Sequence, residues 1–322
     1  LMAGFNIKQR SSAAAVKMLL SFCVLLLGSQ QALAQTTYSK GQHIEPAYEG
    51  WEQNEDGTYN FLFGYHNENW EEKIDLPVGE HNFFSPGEAD RGQPTHFLPR
   101  RNRFTFKVQV PADFGDKELV WEITANGVTR KAYATLAKDY IVDSVVIASE
   151  TGSLGAGTST PESRANTAPV VTVQGDRIAG DVVRTVRAGE PLVINAQVVD
   201  DGLPKPSGMA QATRTARSET MRMLRPPARI TVGKTNGLFL SWNVYRGEGN
   251  VTFDPPQPKP WEDTRASANS PWGPLWVPPP IPEDGIYEVS VTFDEPGTYV
   301  LWARADDGGL YHDEYVTVNV TP

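Results

Sequence analysis

The chain has 322 residues, enough for two ordinary domains, and its 39% hydrophobic and 21% charged residues allow packed cores without membrane character. A formal net charge of -10 argues against non-specific binding to nucleic acid. The 25 prolines and 28 glycines mark the many turns that an all-β chain needs.

Residues 1–34 carry Lys8, Arg10 and Lys17, then an apolar run from Met18 to Leu27, then Ala32-Leu-Ala34 ahead of Gln35. This is the order of a secretory signal with an A-x-A cleavage site, and the apolar run is short for a bilayer span. The expectation is an exported protein, periplasmic or extracellular after cleavage near Ala34, with no transmembrane span in the mature chain. Cys23, the one cysteine, falls inside the apolar run. The mature part then makes no disulfide, so each domain must be held by its core alone. An exported chain of that kind looks bacterial.

Residues 35–148 read as a first β-sandwich. Tyr59 to Tyr65 is an aromatic-rich strand after an Asp56-Gly57 turn, and Phe104, Phe106, Val108 and Val110 alternate along one face of another. Strands at Leu119–Thr124 and Val128–Leu136 flank Asn126-Gly127, a strong hairpin signal, and Lys73–Leu76 adds a short one. Between them lies a long polar loop, His81 to Arg103, the part of this domain with the length to be functional. His66, His81, His96, Asp90 and Arg91 are candidate ligands or acid–base groups there, but their spacing matches no zinc pattern. The competing reading is that Asp90 and Arg91 pin the loop by hydrogen bonds. Arg100, Arg101 and Arg103 form a basic patch, read as a solvated strand edge that discourages edge pairing. Asp139 to Ile147 is expected to pack as one more extended piece.

Residues 149–167 are Gly, Ser, Thr, Ala and Pro with almost no large apolar side chain, which predicts a flexible linker. From 168 to 322 a second sandwich follows. Its pieces are Asn166-Thr-Ala-Pro169, Val186 to Asp200-Asp-Gly-Leu-Pro204, Leu238 to Tyr245 with Trp242, Gly249 to Phe253, and a terminal hairpin around Asp306-Asp-Gly308. In that hairpin Tyr299, Leu301, Ala303 and Ala305 alternate with Val300, Trp302 and Arg304. Two long insertions interrupt the module. Residues 205–235 are basic and include Arg222 and Arg225, with a short helix from Met209 to Leu224 as one reading and a solvated loop as the other. Residues 254–285 are proline-rich and hold Trp261, Trp272 and Trp276, a platform for sugar rings or a satellite core folded on the sandwich flank.

These pieces together resemble the polycystic-kidney-disease-type (PKD) module, an immunoglobulin-like β-sandwich of bacterial surface and secreted proteins. The resemblance covers about 166–322, implies protein or polysaccharide contact, and makes Trp242 the buried tryptophan of the sandwich. The first domain resembles a segment of uncharacterised secreted bacterial proteins, which implies no activity. The fold class expected is all-β, two immunoglobulin-like antiparallel β-sandwich domains joined by a flexible linker.

No G-x-S-x-G, H-E-x-x-H, C-x-x-C or Walker sequence occurs. Asp200, Asp201, Asp306 and Asp307 sit in turns at strand ends, where oxygen-only ligands suit calcium and where aspartates also bond their own backbone. The function read from all this is an exported, non-catalytic binding or structural protein of the bacterial cell envelope, contacting a partner protein or polysaccharide. The alternative is a secreted hydrolase using glycosidase-like carboxylate pairs beside a β-sandwich accessory domain. A plain spacer is the third reading.

Overall fold

The computed structural model describes residues 38–150, 161–205, 237–260 and 278–322. They form an almost entirely β structure. In the first part a sheet of β1 (Ile44–Gln53), β2 (Tyr59–Asn67) and β6 (Arg100–Val110) faces a sheet of β4 (Asn82–Ser85), β7 (Leu119–Ala125) and β8 (Val128–Ala134). A two-strand pair, β3 (Ile74–Asp75) with β5 (His96–Phe97), closes one side. Period-2 alternation turns one face of each sheet inward, and the core is aromatic for that reason. Phe63 stacks on Phe106 at 5.4 Å between ring centroids, and Phe84 on Trp121 at 5.8 Å. The buried Asn82 accepts the Trp121 indole N–H at 3.0 Å and donates to the Leu76 and Pro94 carbonyls at 3.0 and 2.8 Å, so one side chain satisfies three groups inside that core.

The second part is also a sandwich. One sheet has the order β10 (Arg177–Ile178), β11 (Asp181–Arg187), β17 (Tyr311–Thr321), β16 (Gly297–Asp306), β13 (Phe239–Arg246). The other runs β14 (Val251–Asp254), β15 (Ile286–Phe293), β12 (Leu192–Val199), β9 (Val170–Val173). Between them lie Val182, Ile194, Val291, Phe293, Tyr299, Leu301 and Val318, together with Trp242, which is 2% exposed as expected. The terminal hairpin pairs Asp306 with Tyr311, and Gly308 takes φ 91° in its turn.

Four expectations change. First, the sheets are not wholly antiparallel, because β11 runs parallel to β17 over Val182–Arg187. Second, Phe104 does not share a face with Phe106. An irregularity in the β2–β6 pairing at Gly64 and a left-handed φ of 47° at Phe104 turn its ring outward, against Leu62 and Val142. Third, of Asp139–Ile147 only the stretch at Ile141–Val142 is extended, beside Trp51; a helix, α1, covers Ser144–Glu150. Fourth, the basic patch is not a solvated edge. Arg100 lies 4.4 Å over the Trp70 ring, and Arg101 pairs with the buried Glu49 at 2.6 Å. The insertions' unpredicted neighbour β15 also alternates, but its short period-2 run follows a proline-rich stretch that masks it.

About half of the predicted linker, 151–160, lies outside the described residues, as do nearly all of the first insertion, 206–236, and about half of the second, 261–277. A short helix, α2 (Pro161–Ala165), precedes Asn166. Lys40–Pro322 forms one compact unit, so the two sandwiches are not independent beads.

Candidate functional site

The outer face of the β13–β16–β17 sheet would ordinarily be solvated, and an antiparallel sheet with one wet face reads as apolar alternating with polar. Here the outward positions are Tyr245, Val300, Trp302, Arg304 and Tyr315. Tyr245 is 5% exposed and Trp302 2%, and both belong to the hydrophobic core of the first sandwich, with Val300 and Tyr315 packed against it. The first sandwich therefore uses the second as part of its own core. Burying each of these large aromatics contributes roughly 2 kcal/mol or more.

Arg304 is the centre of this joint and is fully buried. Its Nε and Nη2 donate to Asp313 Oδ1 and Oδ2, both at 2.7 Å, a planar bidentate pair. Nη2 also donates to the Phe104 carbonyl at 2.6 Å and Nη1 to the Arg103 carbonyl at 3.4 Å. The guanidinium lies 3.8 Å from the Tyr311 ring centroid and 4.6 Å from that of Trp302. Trp302 Nε1 donates to Asp313 at 2.8 Å. Burial alone would loosen the Arg304 proton, but the Asp313 carboxylate overrides it and the pKa rises. Phe104, whose carbonyl accepts from Arg304, is also the residue with the left-handed φ of 47°.

A second set of contacts uses the loop between His81 and Arg103. Tyr245 donates its hydroxyl to the Gly92 carbonyl. Arg246 donates Nε to the Gln93 carbonyl at 2.8 Å and grips Asp90 with Nη1 and Nη2 at 3.0 and 2.7 Å. Hydrogen bonds from Arg246 hold the Asp90 carboxyl below its ordinary value. The Thr95 N–H donates to the Tyr245 carbonyl at 3.0 Å, and Gly247 N–H to the Thr95 hydroxyl at 3.2 Å. These contacts are those of the competing reading: Asp90 pins the loop, in part to its own Gly92 N–H and in part against the other sandwich. Beside the joint lies a cavity of about 590 Å³ lined by Tyr245, Tyr311, Tyr315, Arg246, Asp313 and Lys107, among others.

The other candidate residues scatter. His96 bonds Asp75 at 2.6 Å, His66 is half-buried 3.9 Å from Glu68, and His81 is exposed. Arg91 donates to the Gln109 carbonyl at 3.1 Å. Among the described residues no group of three or more His, Asp and Glu comes together. Trp261, Trp272, Trp276, Arg222 and Arg225 lie outside the described residues.

The four turn aspartates are placed at one end of the second sandwich. Asp200 accepts from Gly202 N–H at 2.8 Å, Asp201 from Leu203 N–H at 2.8 Å, and Asp306 from Gly308 N–H at 2.7 Å. Asp307 Oδ1 accepts from the Gly309 and Leu310 N–H groups at 2.6 and 2.7 Å. These are aspartates bonding their own turns, as the competing reading has it. Burial pushes the Asp307 carboxyl up to about 7.

What sequence reasoning missed is Arg304 with Tyr245, Arg246 and Tyr311. The available signal was the composition of β16: in Leu301-Trp-Ala-Arg-Ala305 the outward positions carry a tryptophan and a lone arginine rather than small polar residues. A strand whose wet face is that apolar is covered by something.

No family model and no curated protein matches the chain. Among solved structures it is similar to a nucleoside hydrolase-related hypothetical protein from Saccharophagus degradans associated with carbohydrate metabolism. That similarity has 14% identity over 48% of this chain and 26% of the other, with a TM-score of 0.23. The chain thus spans about a quarter of that protein's length. The titin Z1Z2 domains solved in complex with telethonin align over 86% of this chain and 96% of their own, at 10% identity and a TM-score of 0.22. The Yersinia pseudotuberculosis adhesin InvE aligns over 87% of this chain and 59% of its own, also at 10% identity and a TM-score of 0.22. Likeness at these TM-scores assigns no function.

Proposed function

We propose that the protein is an exported, non-catalytic binding or structural protein of the bacterial cell envelope, whose two sandwiches act as one stiff body toward a partner protein or glycan. The observation that supports this reading is the joint. The charged side chains that come together in it, Arg304 with Asp313 and Arg246 with Asp90, are spent on each other and on backbone carbonyls of the opposite sandwich. An acid–base pair for hydrolysis needs carboxylates with a proton to give or take, facing a substrate. The paired aspartates of the joint are instead held as ion-pair partners. A stiff body of this kind presents its loops at fixed spacing, which favours contact over chemistry.

On this reading Trp261, Trp272 and Trp276 supply aromatic faces for sugar rings, and Arg222 and Arg225 supply charge for acidic groups. The test is co-sedimentation of the full chain with insoluble polysaccharides, among them peptidoglycan, chitin and cellulose. Retention on one of them that the triple substitution Trp261→Ala, Trp272→Ala, Trp276→Ala abolishes is the expected result. Equal retention of the triple variant removes the tryptophan platform, and retention on none removes the glycan version and leaves a protein partner. Turnover of a glycoside or ester substrate that survives purification to homogeneity would overturn the non-catalytic reading.

A further inference from the structure

The joint does not close completely. Between β6 of the first sandwich and strands β11, β13, β16 and β17 of the second lies the cavity of about 590 Å³. Well-packed interiors keep few voids larger than one water molecule, and this one falls in the range of small-molecule sites, about 300–1000 Å³. Its walls are of two kinds. Phe104, Phe106 and Val300 line it with apolar surface, whereas Tyr311, Tyr315, Thr317 and Asp181 line it with polar side chains. An apolar wall with a few polar groups is the usual build of a site for a small molecule.

The charges around the cavity are already matched, with one exception. Lys107 holds Glu52 at 2.6 Å, Arg246 grips Asp90, and Asp313 is paired with Arg304. His312 Nδ1 accepts the Val171 N–H at 3.3 Å. The Asp181 carboxylate is the lining charge with no ion pair among the described residues. An anion in the cavity would face that carboxylate, and a cation would face Lys107 and Arg246. What is left over is hydroxyl. Those of Tyr311, Tyr315 and Thr317 have no hydrogen-bond partner among the described residues. Burial raises the pKa of both phenols, so each keeps a proton to donate while its oxygen still accepts. Such a lining suits a neutral molecule whose own groups both donate and accept and whose body is apolar. A sugar ring has both properties, with hydroxyls on its rim and C–H groups on its faces.

We propose that this cavity binds a neutral sugar of one or two rings, held by the Tyr311, Tyr315 and Thr317 hydroxyls and the Asp181 carboxylate against the wall of Phe106 and Val300. The site is separate from Trp261, Trp272 and Trp276, and it takes a short soluble sugar rather than the surface of a polymer. It therefore does not rest on the polymer contact proposed above. Because its walls come from both sandwiches, a bound sugar ties one to the other and stabilises the folded chain.

The experiment is thermal unfolding of the full chain with about 20 mM glucose, galactose, mannose, N-acetylglucosamine, maltose, lactose, cellobiose or chitobiose, and with glucuronate and choline as charged probes. At least one neutral sugar is expected to raise Tm by about 3 °C in a saturable way, with a Kd of about 1 mM, and the charged probes by less than about 0.5 °C. Tyr315→Phe and Thr317→Val each delete an oxygen that no described protein group holds, and each should weaken the sugar about tenfold. The triple variant Trp261→Ala, Trp272→Ala, Trp276→Ala should keep the full shift. No saturable shift with any of the neutral sugars overturns the proposal, whatever the retention on polymers. So does a shift that both hydroxyl variants keep or that the triple variant loses, because the sugar would then sit elsewhere. A larger shift with glucuronate or choline overturns it as well, because the cavity would then select charge.

Discussion

Replacing Arg304 by Met tests whether the two sandwiches depend on one another. Methionine keeps most of the apolar stem against Trp302 and Tyr311 but removes every hydrogen bond. Asp313 then loses a bidentate partner in a place where water is scarce, and the Phe104 carbonyl loses its donor. Breaking a buried pair by deleting one member costs about 3–5 kcal/mol, chiefly because the remaining charge is stranded. The expected loss for Arg304→Met is therefore about 4 kcal/mol, read from urea unfolding followed by tryptophan fluorescence. Adding Asp313→Asn removes the stranded charge while Trp302 Nε1 keeps an oxygen to bond, so the double variant should recover roughly half of that loss. Amide exchange should speed up in β6 near Phe104 and in β17 near Tyr311, and not in β7. A loss below about 1 kcal/mol, or a double variant as unstable as the single one, would refute the reasoning that this pair fastens the joint.

Three further outcomes follow from individual contacts. Asp90→Asn should lower stability by less than about 1 kcal/mol at neutral pH, since the Arg246 pair is half-exposed. Because the folded carboxyl is held below its ordinary 3.8, that contribution is full above the ordinary value and is lost as pH falls through the folded one. The Tm gap between wild type and variant should accordingly close as pH falls below the ordinary carboxyl value. Asn82→Ala leaves the Trp121 indole and two carbonyls unpaired in a dry core and should cost about 3 kcal/mol by urea titration, with the Trp121 emission shifted. Gly247→Ala puts a methyl group against the Tyr299 ring at a φ of 128°, and should cost about 2 kcal/mol or more in the same assay.

Alternation and turn chemistry made most strands legible. Tyr59–Tyr65, Leu119–Thr124 with its Asn126-Gly127 turn, and the β16–β17 hairpin carry period-2 patterns strong enough to stand alone, and Trp242 sits where a sandwich of this type buries a tryptophan. The aspartate turns were legible as turns for the same local reason. Phe104 was misplaced because a bulge shifts every side chain beyond it by one position, and a bulge depends on the partner strand rather than on the bulged one. The outward row of Tyr245, Trp302 and Arg304 was visible but unread, since alternation says which residues share a face and not what covers it.

All-β architecture and the pairing of neighbouring strands in hairpins follow from local sequence alone, because backbone preference and side-chain period act over a few residues. The joint is of another kind. Arg304 meets Phe104 across 200 positions of chain, and Arg246 meets Asp90 across 156. Contacts at such separation depend on the packing of two finished sheets, and no local pattern encodes which surface will meet which. Only the assembled tertiary structure makes a lone arginine in an apolar strand into the fastening of one sandwich to the other.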